Sequence, residues 1–439
     1  MVEIGRILLE AVFIPIRTGV VVALIAQLIL PGTQALTPIT DSNIDAAVTA
    51  WITSPTTATA TYGNIAGWNT AAVTSMAAQF SSQPTFNDDI SKWNVASVTT
   101  MASMFSGAAA WNQNIGGWNV AFVTTMACMF NRTDAWNQNI AKWNVASVVT
   151  MTSMFNSAAA WNQNIGRWNT AALKSMQGMF YSASAFNQNI AKWDVSSVSN
   201  MHTSFFQASV FNANVGGWNT ASVSDMFQTL CQAADFNHNI AGWNVASVAN
   251  LRATFNSALA FNQPIGRWNT ARVTTVVRLF LYVTVFNQPL AWNVASVKDM
   301  GGIFHGASSF NQDITSWNIA SVANMNSAFA SAVNFNHDLG AWNLVRVSNM
   351  VNIFNAASSF NQNLADWNVL QVGDMTGSFD STPAMDLCYK RGVYDNWGAT
   401  LQGAYPSWSS YCTDAPSATP RWLERAPNRN ALQYLWCSV

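Results

Sequence analysis

The chain has 439 residues; half are hydrophobic and only 9% are Asp, Glu, Lys or Arg, against about 25% in average soluble proteins. The formal net charge is −1, so there is no basic footprint for counterion-driven binding to phosphates, and nucleic acid is excluded as the expected ligand. A surface this poor in charge must be built from Asn, Gln, Ser, Thr and Gly, which suits an extracellular protein better than a cytosolic one.

Residues 1–36 read differently from the rest. Arg6 and Arg17 precede the apolar run Gly19 to Leu30, which is followed by Pro31, Gly32 and small residues ending near Ala35. This is the pattern of a signal peptide. The run is shorter than the ~20 residues that cross a bilayer, which favours a cleaved signal. The earlier apolar segment Ile7 to Ile16 leaves an uncleaved signal anchor as the alternative, and that anchor is the sole membrane contact the sequence suggests.

Tryptophan then recurs at 68, 93, 118, 143, 168, 193, 218, 243, 268, 292, 317, 342 and 367, a 25-residue period with one deletion before Trp292. Thirteen turns share this template. In the turn from Val98 to Val120, apolar residues fall at Val98, Met101, Met104, Phe105 and Ala108, one face of a helix or of a run of 3₁₀ turns. From Trp111 to Trp118 an aromatic stands at each end with Ile115 between, bordering Gly116 and Gly117, which predicts a short strand with a turn. Neither half buries its apolar stripe alone, so successive turns must stack. The expected fold is therefore an elongated α/β solenoid of about thirteen turns over 68–379, with short parallel strands on one side and short helices or 3₁₀ turns on the other. At ~4.8 Å per turn it is roughly 60 Å long.

One large apolar residue per turn is what a solenoid core requires, so the Trp series is read as core rather than as a sugar-stacking platform. Asn follows the strand-opening aromatic in every turn from Asn87 to Asn361. Asn also follows the repeated Trp, except at Asp194. Amides both donate and accept, so both series are expected to support the stacking.

The turns resemble those of the BspA-like leucine-rich-repeat surface proteins, specifically the 25-residue class often called DUF285. The pattern appears as Val148, Thr150, Met151, Met154 and Phe155, then Trp161-Asn162-Gln163-Asn164-Ile165 and Trp168-Asn169. It spans about Ala46 to Phe379. The entry segment, 37–67, resembles the stretch that caps the first edge of such arrays. The resemblance implies a leucine-rich-repeat-like architecture, surface exposure or secretion, and binding to a protein or host surface. Leu230, Leu251 and Val276 depart from the usual Phe or Met, and these turns, with the deletion before Trp292, are expected to bend or loosen the stack.

After Phe379 the period disappears. Residues 380–412 read as a C-terminal cap, in which Cys388 paired with Cys412 would close a loop worth about 3 kcal/mol. Cys128 and Cys231 lie about four turns apart, ~19 Å at the stacking distance, too far to pair. Residues 413–439, with the unpaired Cys437, read as a disordered tail.

No catalytic pattern stands out. Glu occurs only at 3, 10 and 424, so a glycosidase-like pair would have to be built from Asp, with adjacent Asp88 and Asp89 the one placement to consider. His238 and His337 share a register but sit four turns apart. Asp313 and Asp338 occupy one register in adjacent turns, with Asn363 next, as a candidate Ca²⁺ site; two solvated carboxylates are the plainer reading. No cofactor is expected. Asn131-Arg132-Thr133 is a glycosylation acceptor pattern. For a partner-binding face, the sequence nominates Gln113, Gln138, Gln163 and Gln188 beside Lys142, Arg167, Lys192 and Arg267. The resulting expectation is a non-enzymatic, secreted or cell-surface repeat protein that presents an extended surface to a protein or surface glycan. A carbohydrate-binding or structural wall protein is the alternative.

Overall fold

A computed structural model describes residues 36–413. The expected signal segment before Leu36 and the tail after Thr413, with Cys437, lie outside the described residues. No helix among the described residues is long and apolar enough to cross a membrane.

The chain enters through α1 (Ile44–Thr53) and α2 (Pro55–Tyr62), followed by a 3₁₀ turn at Ile65–Gly67. α1 buries Ile44, Ala47, Val48 and Trp51, the stripe of a helix lying on a core. α2 starts on Pro55, whose fixed φ and missing N–H suit a first helical position. Thirteen coils follow, numbered 1 to 13 by their first buried aliphatic residue from Val73 through Val98 and Leu173 to Val372. At the far end stand α3 (Leu387–Asn396), α4 (Ala399–Ala404) and a 3₁₀ turn at Pro406–Ser410.

The coils stack in register, but they contain neither strands nor helices, which corrects the expected α/β class. The sole β pairing within the array is one isolated parallel bridge per coil junction, such as Thr100 with Thr125. It lies in the half expected to be helical. In coil 2 the N–H groups of Met101, Ser103, Phe105 and Gly107 donate to the carbonyls of Thr125, Ala127, Met129 and Asn131 in the next coil, at 2.7–3.1 Å. Those N–H groups are therefore not available for helical i→i−4 bonds. Within the coil the bonds are short turns, Met104 to Met101, Ser106 to Ser103 and Ala108 to Phe105. Ser103 (φ 56) and Gly107 (φ 77) are left-handed, and the equivalent pair recurs in every coil, mostly on non-glycine residues such as Ser153 and Ser157. Such left-handed steps turn successive N–H groups to one side. The segment is a ladder of linked turns.

The half expected to be strand fails for a different reason. The N–H of Asn112 donates to the side chain of Asn87 at 2.9 Å, not to a backbone carbonyl. Gly116 N–H goes to Asn114 Oδ1 at 2.9 Å and Trp118 N–H to Ile115 O at 3.1 Å. With its donors spent on side chains and local turns, this strip cannot pair as a sheet.

The core is three aromatic columns. Phe105 stacks on Trp111 at 3.7 Å within its coil and on Phe130 at 5.9 Å in the next. The periodic Trp residues form the third column; they are buried, and Trp143 donates from Nε1 to the Ile115 carbonyl one coil back at 3.1 Å. The Asn87 to Asn361 series bonds from coil to coil, as expected of a ladder. The second series does not: Asn94 and Asn119 accept from the N–H two residues on and close local turns. Loosening in the middle is absent. Leu230, Leu251 and Val276 are buried, and Trp292 stacks on Trp268 at 6.3 Å and 3°.

Both ends are covered. Asp41 accepts from Thr74 N at 2.7 Å and from Ser75 N at 3.2 Å, where a preceding coil would offer carbonyls. Trp51 meets Trp68 edge-on at 6.2 Å and closes the Trp column. At the C-terminal end Asp386 takes the Asn register: its N–H donates to Asn361 Oδ1 at 2.8 Å, while its carboxylate caps α3 through Cys388 N–H at 2.7 Å. Cys388 is disulfide-bonded to Cys412, as the sequence predicts.

Candidate interaction face

The turn ladder buries every position that the repeat keeps apolar and turns its neighbours outward. In coil 2, Met101, Met104, Phe105 and Ala108 are buried, whereas Thr100, Ala102, Ser103, Ser106 and Gly107 reach the surface. Stacking makes these outward positions a continuous face. Its flanking coils are mostly small and polar, as at Ser81 and Ser82 in coil 1 or Ser327 and Ser331 in coil 11, with exposed Arg132 in coil 3. Coils 5 to 10 instead carry Tyr181, His202, Phe206, Phe227, Arg252, Arg278, Tyr282 and His305 at the same registers.

These side chains organise one another. Tyr181 stacks on Phe206 at 4.6 Å, and His202 meets the ring of Phe227 edge-on at 4.6 Å. Tyr282, 49% exposed, packs against His305 at 5.2 Å. Coil 10 supplies a glycine shelf for this pair. A Cβ at Gly306 would collide with the Tyr282 ring, and one at Gly302 would stand 3.4 Å from Arg278 Cγ. Burial, with the nearby positive charge of Arg278, holds His305 below its ordinary pKa. Arg252 and Arg278 are exposed, and the salt bridge found among the described residues, Arg391 to Asp395, involves neither. Val210, Leu259 and Val285 extend exposed apolar surface along the adjoining turn. Rings with free guanidinium groups are the residue types that dominate protein interfaces.

The residues nominated from sequence lie on the other half of the coil. Gln113, Gln138 and Gln163 each donate to the Asn one coil back, through its carbonyl and its side chain, and Gln188 donates to Asn162 Oδ1. These amides brace the stack. Lys142, Arg167, Lys192 and Arg267 are exposed and share one register.

Asp313 and Asp338 lie on the same strip, each accepting from the N–H two residues on, at 2.9 and 2.8 Å. Hydrogen bonds from Thr315 hold the Asp313 carboxyl below its usual pKa. No group of three or more His, Cys, Asp or Glu suited to a metal occurs among the described residues.

Asp88 accepts from Trp51 Nε1 at 2.8 Å, whereas Asp89 accepts from Ser91 N at 2.8 Å, so each adjacent carboxylate has a local structural partner. Asn131 Nδ2 donates to Ser106 at 3.2 Å, and Thr133 of the acceptor pattern is buried with its hydroxyl on the Phe130 carbonyl. Cys128 and Cys231 are free. Burial pushes the Cys231 thiol up to about 12, so it is inert as a nucleophile.

At the C-terminal cap an open cavity of about 700 Å³ is lined by residues that include Ser381, Lys390, Tyr405 and Trp408. The Tyr405 hydroxyl accepts from Phe379 N–H and donates to Asp380, both at 2.9 Å, so this cavity adjoins the closure of the last coil.

A family model described as Mycoplasma protein of unknown function, DUF285, matches residues 53–160, 118–216, 199–300 and 290–389. The chain belongs to this family. The DUF285 matches overlap, run from the end of α1 into α3, and cover the whole array of coils. The match establishes the repeat and leaves the leucine-rich-repeat expectation without support. No curated protein matches the sequence closely enough to serve as a relative.

The ladder-face residues were not singled out from sequence. Their signal is large aromatic or basic residues at registers that other repeats fill with Ala, Ser or Asn.

Proposed function

We propose that this chain is a non-enzymatic, secreted or cell-surface protein whose ladder face in coils 5 to 10 binds a protein partner. The observation that carries the reading is the cluster of Tyr181, Phe206, Phe227 and Tyr282 with exposed Arg252 and Arg278 on a face that elsewhere is mostly small and polar, Arg132 of coil 3 being the other exposed arginine. Such rings offer large contact area at low entropic cost, and Arg adds directional donors. The Cys388–Cys412 bond and the low charge suit an oxidising, extracellular setting.

The test is binding of the labelled protein to intact cells and purified matrix proteins, compared with a Tyr181→Ala, Phe206→Ala, Arg278→Ala variant of equal thermal stability. Loss of binding in the variant supports this face, and unchanged binding sinks it. Sensitivity of the cell receptor to protease rather than glycosidase separates a protein partner from a surface glycan.

A further inference from the structure

Apart from the buried Ile115 series, the strip from Asn112 to Gly117 and its equivalents reaches the surface along the array; its exposed charges include Asp88, Asp89 and Lys92 in coil 1, a basic run of Lys142, Arg167 and Lys192 in coils 3 to 5, Arg267 in coil 8, and acids toward the far end. Arg167 and Lys192 stand in coils 4 and 5, Asp313 and Asp338 in coils 10 and 11, and all four are exposed. A twofold axis perpendicular to the stack, passing between coils 7 and 8, exchanges coil 4 with coil 11 and coil 5 with coil 10. It therefore brings Arg167 of one copy to the coil that carries Asp338 of the other, and Lys192 to the coil that carries Asp313, each pair three residues apart across the strip and within reach of the long basic side chains, twice over.

The same operation pairs the residues near that axis. Arg267 of coil 8 falls opposite Gly242 of coil 7, one coil away from Arg267 of the second copy, so this like-charge pair opposes association and keeps it weak. Gly217 of coil 6 falls opposite Ala291 of coil 9, and both are exposed. A Cβ at Gly217 would meet nothing within 4 Å, so this position presents only backbone to the second copy. The amides between the charged blocks are already held by coil-to-coil bonds, as Gln188 to Asn162 at 2.9 Å and Gln263 to Asn237 at 2.8 Å, which leaves a rigid surface with little side-chain entropy to lose.

We propose that this strip is an isologous interface through which two copies of the chain pair antiparallel. The twofold makes one patch serve both partners. Exposed ion pairs add little affinity each, but they fix the register and steer encounter, so association is weak and salt-sensitive.

The test is sedimentation velocity on the full chain. Wild type should dimerise at low ionic strength, with association weakened about tenfold or more between roughly 0.05 and 0.5 M salt. A variant with its basic pair reversed, Arg167→Asp with Lys192→Asp, and one with its acidic pair reversed, Asp313→Lys with Asp338→Lys, should each be monomeric with unchanged circular dichroism. Mixed one to one, the two variants should form a heterodimer. A monomeric wild type under all conditions overturns the proposal. So does self-association of either variant as strong as wild type, or a mixture that stays monomeric. Capture of an anionic polymer by a monomeric wild type would assign the basic block to that ligand and likewise overturn it.

Discussion

The indole N–H of Trp397 donates to the Leu364 carbonyl at 3.1 Å, the bond that Trp367 makes to Leu339 at 2.9 Å one coil earlier, although 33 rather than 28 residues separate donor from acceptor. Its ring continues the column, 5.7 Å from Trp367 and inclined by 9°. A helix has replaced the strip of the last coil without moving its terminal Trp.

Trp397→Ala should therefore destabilise the C-terminal end by about 3–5 kcal/mol, the cost of truncating a buried aromatic. Trp397→Phe keeps a stacked ring and loses the bond, about 1 kcal/mol, together with some area. Because coil arrays unfold locally, hydrogen exchange of coils 12 and 13 is the measurement. Protection unchanged in the alanine variant would contradict this role.

The left-handed residues give a second prediction. Ser153 has φ 52, where a β-branched aliphatic side chain crowds the backbone, so Ser153→Ile should cost about 1–2 kcal/mol. Ser153→Gly relieves that strain and adds unfolded-state entropy of about 0.5–1 kcal/mol, leaving stability nearly unchanged. Thermal melts of the two variants distinguish a true left-handed site from an ordinary turn, at which both would behave like surface changes.

Reduction of the Cys388–Cys412 bond should loosen α3 and α4 by up to about 3 kcal/mol while leaving the coils intact. Limited proteolysis with reductant should cut first around Gly398, between these helices. Equal resistance with and without reductant would show that the bond does not restrain the cap.

His305 sets a pH dependence on the ladder face. Its folded pKa lies below the ordinary 6.5, first through burial and then through Arg278. The associated stability is thus fully present above about pH 6.5 and is lost as pH falls through the folded value. His305→Gln should lower the pH sensitivity of the melting temperature between pH 7.5 and 5. A variant with the wild-type slope would place the dependence elsewhere.

Where each side chain goes was largely legible from the Trp period: Met101, Phe105, Ile115 and Trp118 are all buried. The backbone was not. Residues at Val98, Met101, Met104 and Ala108 have the i, i+3 spacing of a helix, and linked turns closed by i→i−3 bonds have it too. The difference lies in the sign of φ at Ser103, Arg132 or Gln232, residue types that seldom announce a left-handed site. The strip looked like a strand because its ends are aromatic, yet Asn87 captures the N–H of Asn112 that a sheet would need. The aromatic and basic cluster of the ladder face was hidden for the same reason. Which residues point outward follows from the turn geometry, so Tyr181, Phe206 and Tyr282 read from sequence as mere variation within a helical stripe. The bracing role of Gln113 was likewise invisible until its acceptor, Asn87, was in place.

Each coil hands forward the set of donors that it receives from behind. The junctions between Met101 and Thr125 and between Met350 and Asp374 are the same bond, at 3.1 Å in both. The caps are not equivalent, since Asp41 supplies acceptors to the first coil and Tyr405 receives a donor from the last. Copy number is therefore a free variable of this architecture. Duplication or loss of a whole unit leaves every junction chemically unchanged, so the span of the molecule can drift in evolution while its two ends stay fixed.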